Sequence, residues 1–177
     1  MTAIYYDKNG NPRSFGVKTQ TAVIQQKAEE GEWLLVHSFK RLVHRLGGAV
    51  DTNIPDNEAN LPTLPPSITT ESVYTDWLKY LFEHAQSIFV AKYTRAVWDQ
   101  LSPGMEIIFT VPNGWYTQEH GLLGSAAVAA GIVKDDSKVH FVPETEAAVH
   151  FALRERALQP SVSLISSGRA RLKSVFV

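Results

Sequence analysis

The segment beginning at position 107 constrains this chain more than any other. Residues 107–111 read IIFTV, an unbroken β-favouring run, and Pro112-Asn113-Gly114 interrupts it. An alanine- and glycine-rich stretch follows over 117–130, and a second short run, VHFV, occupies 139–142. Short apolar runs bounded by turn residues read as strands with helices over both faces of their sheet. Two such strands joined by a helix lie parallel, because the crossover returns the chain to the end from which it started. A further helix over 144–158 completes a β-α-β-α unit, so the fold class expected is α/β. Ligands of open parallel sheets sit beyond the carboxyl ends of the strands. That rule puts Pro112 and the Pro143-Glu144 pair on one edge. A proline just past a strand lacks an amide donor and has a fixed φ, so it aims the residues after it.

The rest of the chain is punctuated less clearly. Two β-favouring runs flank Lys8-Asn9-Gly10-Asn11-Pro12, which predicts an N-terminal hairpin. Residues 21–30 read as a helix closed by Gly31. In WLLVHSFKRLVHRL, Leu35, Phe39, Leu42, Val43 and Leu46 recur at helical spacing up to Gly47-Gly48, which predicts one continuous helix. Residues 49–69 hold Pro55, Pro62, Pro65 and Pro66 and read as a loop or linker. A long helix is expected over 70–95, with Val73, Trp77, Leu81, Ala85, Ile88 and Phe89 as its core stripe. Residues 159–177 show no clear period and are expected to be disordered or a non-native tail.

Composition excludes several classes of function. There is no cysteine, hence no disulfide, thiolate metal site or cysteine nucleophile. The net charge of −1 gives no general attraction to nucleic acid or anionic membranes. Neither a secretory leader nor a membrane-length apolar run is recognisable, so the expectation is a cytoplasmic protein. His140, Glu144, Glu146 and His150 form an H-x3-E-x-E-x3-H pattern. Only Glu146 and His150 share a helix face, so they read as a surface pair and no metal site is expected. Lys40, Arg41, His44 and Arg45 read as a solvated helix face, without the interleaved aromatics of a nucleic-acid site.

Three segments taken together carry a family resemblance. FTVPNGWYTQEHGLLGSAAVAAGI resembles the segment of 70-kDa heat-shock proteins that opens on Val-Pro and closes on Ala-Gly-Leu. HFVPETEAAVHFAL is similar to the Glu-Pro-(Thr or Glu)-Ala-Ala segment that comes next in that family, and SFKRLVHRL resembles its upstream Lys-Arg-Leu-Ile-Gly-Arg stretch. Their order and spacing match as well. Trp115 and the Glu144-x-Glu146-Ala-Ala run look most like a divergent branch, and the hairpin region fits the same branch. The resemblance covers residues 2–48 and 70–158.

The resemblance implies a partial actin-like ATPase (ribonuclease-H-like) lobe. Residues 1–48 would belong to its small subdomain, 49–69 to a linker and 70–158 to the α/β part of the first lobe. By family analogy Lys40 reaches toward the phosphates and the attacking water. Glu144 lies by the metal and its water shell, and Pro112 is a switch that passes on the nucleotide state. ATP and magnesium are the cofactors so implied. Two departures stand out: His120 occupies the place of the family's arginine, eight residues after Pro112, and Thr145 replaces a proline. Neither of the family's glycine-rich phosphate hairpins is recognisable, and no Gly-x-x-x-x-Gly-Lys loop substitutes for them. The expectation is therefore a truncated chain that is not an active ATPase alone and binds no cofactor by itself. Its open sheet edge could take a protein partner, with nucleic acid and membrane excluded. The alternatives are a non-catalytic interaction module on the same scaffold, or a truncated sugar-kinase-like relative.

Overall fold

The computed structural model describes residues 2–44, 62–157 and 174–176. It is a mixed α/β domain with one antiparallel and one parallel sheet. The antiparallel sheet has the order β2-β1-β3, from Pro12–Phe15, Ala3–Tyr6 and Leu34–His37. Tyr5 faces Ser14 across the hairpin and Leu35 on the other side. Gly10 adopts φ +80° at the hairpin tip, where a Cβ would come 2.6 Å from the Ser67 hydroxyl. The tip therefore needs glycine both for its backbone and for its contact with the segment entering the long helix.

After a 3-10 turn the chain forms α1 (Ala22–Glu30), which ends at Gly31, close to expectation. The single helix expected over WLLVHSFKRLVHRL is corrected. Leu34–His37 form β3, and a short helix, α2 (Lys40–His44), follows. Glu32 and Ser38 have φ values of 52° and 54°, and these left-handed residues break the chain on either side of β3. Pairing with β1 outweighs the helical spacing of Leu35, Phe39, Leu42 and Val43. Leu46 and Gly47-Gly48 lie outside the described residues, as does most of the expected linker.

The long helix α3 spans Thr70–Tyr93. Its N-terminus is closed by a reciprocal cap: the Ser72 amide donates to the Thr69 hydroxyl and the Thr69 amide to the Ser72 hydroxyl, each at 3.1 Å. Of the expected core stripe, Val73 is buried and Trp77 packs half-buried against the core, whereas Ile88 is largely exposed; Tyr74 and Leu78, which lie outside that stripe, are buried instead. The helix also stops before Arg95: Thr94 turns to φ 86° and a separate α4 (Arg95–Leu101) begins.

The β-α-β-α unit follows its expected bounds closely. It comprises β4 (Ile107–Val111), α5 (Thr117–Ala129), β5 (Val139–Pro143) and α6 (Glu144–Ala157). β4 and β5 are parallel, with Phe109 opposite Phe141 and Val111 opposite Pro143. The stretch expected to be disordered contains one described element, β6 (Ser174–Phe176), which runs parallel to β4 on its other side. The second sheet is therefore β5-β4-β6, with β4 central. One core joins both sheets: Ile4, Tyr6 and Val36 belong to the same buried cluster as Ile107, Phe109, Val111 and Ala126.

Candidate functional site

The carboxyl ends of β4 and β5 emerge side by side; β4 leads into a short turn and β5 directly into α6. Val111 is buried at the end of β4, and Pro112 opens a turn in which the Trp115 amide donates to the Pro112 carbonyl at 3.2 Å. Gly114 supplies φ +95° for that turn. Trp115 drops into the core at 7% exposure and anchors the loop. Glu119, 2% exposed, then caps α5 by accepting the Tyr116 amide at 2.9 Å. A carboxylate in the first turn of a helix also complements the helix dipole. Pro112 thus sits on a loop fixed at both ends.

Glu144 is the first residue of α6, directly after Pro143. Lys40 is the first residue of α2 and lies 104 positions earlier. The Lys40 ammonium donates to Glu144 Oε1 at 2.6 Å. The two side chains are 52% and 47% exposed, so the pair faces solvent at the mouth of the site. A second contact joins the loop after β4 to the first turn of α6: the Thr145 hydroxyl donates to Asn113 Oδ1 at 3.0 Å. Lys40, Glu144 and the loop containing Pro112 therefore share one end of the parallel sheet. Asn113 was not expected there, and Thr145 was noted only as a departure. Their signal was adjacency, since each follows immediately after a residue singled out from the sequence.

This arrangement offers one cation, one carboxylate and two neutral polar side chains. An ammonium suits a phosphate oxygen, and a carboxylate can orient water or a hydrated divalent cation. The Pro112–Trp115 loop contains a single glycine, and its Trp115 amide is spent on the loop's own turn, so it lacks the glycine-rich form of a phosphate cradle.

The other sequence candidates do not converge on this site. His140 Nε2 lies 3.5 Å from Glu106, at the opposite end of β5 from Glu144. Glu146 and His150 form an exposed pair one helical turn apart at 3.8 Å, as their spacing suggests. His120 stacks on Phe141, with ring centres 4.1 Å apart and planes within 3°. Its Nε2 is buried without a hydrogen-bond partner, so His120 packs here as an aromatic ring. Arg41 lies beside Lys40 on the exposed part of α2. His44's side chain and Arg45 lie outside the described residues.

The N-terminal hairpin carries a second polar constellation that the sequence reading missed. The Asp7 carboxylate accepts the Asn9 and Asn11 amides at 2.9 Å each and the Arg13 Nε at 2.8 Å. The backbone bond from Asn11 leads the causes that hold its pKa down at about 2, with Asn11 and Arg13 side chains adding to it. Deeper in, the Tyr6 hydroxyl donates to Asp76 Oδ2 at 2.8 Å and fastens β1 to α3. Burial pushes the Tyr6 hydroxyl far up, and the bond to Asp76 adds to this. Burial likewise raises Asp76, although Tyr6 and Lys79 oppose it. Both groups serve the fold and lie away from the strand tips.

Comparison of the chain with protein-family models, with curated proteins and with solved structures finds no match in any of the three. None of the described helices is long and apolar enough to cross a membrane.

Proposed function

We propose that this chain forms part of one lobe of a heat-shock-70-like ATPase, with Lys40 and Glu144 as the charged pair on its phosphate side. One observation carries the reading. Two residues to which the same resemblance assigns roles, 104 positions apart, meet at 2.6 Å beside the carboxyl ends of two parallel strands. In this role Lys40 offers a compact charge to a phosphate oxygen, and Glu144 orients a water molecule or the hydration shell of magnesium. Pro112 and Asn113 set the neighbouring loop, and Thr145 ties that loop to Glu144. The residues present fit the edge of a magnesium-nucleotide site. They do not make a whole one, because phosphate affinity requires several converging amides that these 177 residues do not encode in glycine-rich form. Lacking three or four charge-assisted bonds of about 1.5–3 kcal/mol each puts micromolar affinity out of reach.

Titration of the chain with magnesium-ATP, followed by amide NMR, tests this. The expected result is weak, millimolar perturbation centred on Lys40, Asn113, Glu144 and Thr145, lost in Lys40→Met. Perturbation elsewhere, or none, would refute the phosphate-side reading. Saturation at low micromolar nucleotide would refute the incomplete site.

A second reading, a non-catalytic interaction module, draws on a different observation. Val149, Phe151 and Leu153 on α6 are 58%, 66% and 60% exposed, and among the described residues β5 pairs with β4 alone. Exposed apolar groups beside an unpaired strand edge are features of an association surface.

A further inference from the structure

The opposite end of the parallel sheet holds a cleft that plays no part in the site above. It has a volume of about 540 Å³ and lies where the chain enters β4 and β5. Met105 precedes β4 and Lys138 precedes β5. Phe82 of α3, Trp98 of α4 and Ile132 of the loop after α5 form its apolar wall. Trp98 packs with its ring centre 5.6 Å from that of Phe82, which holds the indole in place as a flat surface. Phe82 and Ile132 also line a small apolar cavity behind the wall, of about 20 Å³, reaching in to Leu78, Ile107 and Phe109. The floor of the cleft is thus apolar and incompletely filled.

Its rim is cationic. Lys134 and Lys138 line the cleft, and neither has an ion-pair partner among the described residues. Asp135 lies between them; its carboxylate accepts from the amide and hydroxyl of Ser137 and also attracts Lys138. Two ammonium groups against the one carboxylate that lines the cleft leave its lining with a net charge of +1, with Asp136 adjoining it in the chain. A volume of this size falls within the usual range for small-molecule sites, which pair an apolar body with a few placed polar groups.

We propose that this cleft binds a small amphipathic carboxylate, its apolar body against Trp98 and Phe82 and its charge between Lys134 and Lys138. The charge complementarity names the occupant. A neutral ligand leaves both ammonium groups unused, and a purely ionic one leaves the aromatic wall in water. The cleft is independent of the Lys40–Glu144 site and would stand if that reading fell.

The probe is 2-naphthoate, with 2-naphthamide as its uncharged counterpart, each titrated into the whole chain and followed by amide and indole NMR. The expected result is saturable binding of 2-naphthoate, with shifts centred on 131–138, Phe82, Met105 and the Trp98 indole. The amide should bind about tenfold more weakly, the equivalent of one charge-assisted bond. Lys134→Ala combined with Lys138→Ala changes only exposed side chains, so the fold should persist. This variant should weaken 2-naphthoate about tenfold and leave 2-naphthamide unchanged. Equal affinity for the two probes, no loss in the double variant, shifts centred elsewhere, or no saturation at millimolar probe would each overturn the proposal.

Discussion

Tyr6 and Asp76 show how one polar contact in the core sets the cost of a substitution. Tyr6 is fully buried and its hydroxyl has Asp76 as partner. Tyr6→Phe keeps the ring but strips a half-buried carboxylate of that donor, so it should cost about 1–3 kcal/mol in urea unfolding. A loss below a few tenths would mean that water replaces the hydroxyl. Asp7 gives the complementary pH prediction. Its folded pKa, about 2, lies below the unfolded carboxylate value of about 4. A depressed carboxylate contributes stability above the unfolded value and loses it as pH falls through the folded one. The melting temperature should therefore drop between about pH 4 and pH 2, and Asp7→Asn should flatten that part of the profile while lowering stability at neutral pH. Little of this could be read from the residues themselves. Asp7 sits in an evident turn, but nothing in the spacing of Tyr6 and Asp76 announces a contact across 70 positions.

Among the helices and strands, the junction between α3 and α4 stands out as strained. Thr94 adopts φ 86° and ψ 157°, a region that side chains with a Cβ rarely enter, and its hydroxyl makes no cap bond to α4. Thr94→Gly should relieve the strain and lose no capping, stabilising the chain by about 1 kcal/mol after the added entropy of glycine. Thermal melting measures this, and a lower melting temperature would show that the strain is illusory. The same junction illustrates what a pattern can and cannot tell. The apolar period runs smoothly from Val73 to Phe89, and no glycine or proline marks Thr94, so one helix over 70–95 is the natural reading. The β3 segment misleads in the opposite direction. Leu35, Phe39, Leu42 and Val43 fit a helix, yet WLLV is also a β-favouring run, and its partner β1 lies some thirty residues away. Strand pairing is a non-local choice that a local period does not reveal. The β-α-β-α unit was legible because its proline and glycine punctuation coincides with its element ends.

Across the whole molecule, the Lys40–Glu144 pair spans the two sheets, since α2 follows β3 and α6 follows β5. Both partners are about half exposed, so the pair contributes little to stability. Lys40→Met should change unfolding free energy by less than about 1 kcal/mol while erasing the nucleotide-dependent NMR shifts. A large loss of stability would instead make the lysine a structural brace. The Lys40–Glu144 contact was not legible in the sequence, because neither charge is distinguished from its neighbours by spacing and 104 positions separate them. Asn113 and Thr145 were legible only once the two strand tips stood side by side. The contact at the sheet mouth also has a thermodynamic corollary. Each partner now satisfies the other, so an anion that draws the ammonium away leaves the carboxylate without its counter-ion and more receptive to a metal. The two guests would then promote each other's entry, and linkage makes that help equal in both directions, with no hinge or moving lid involved.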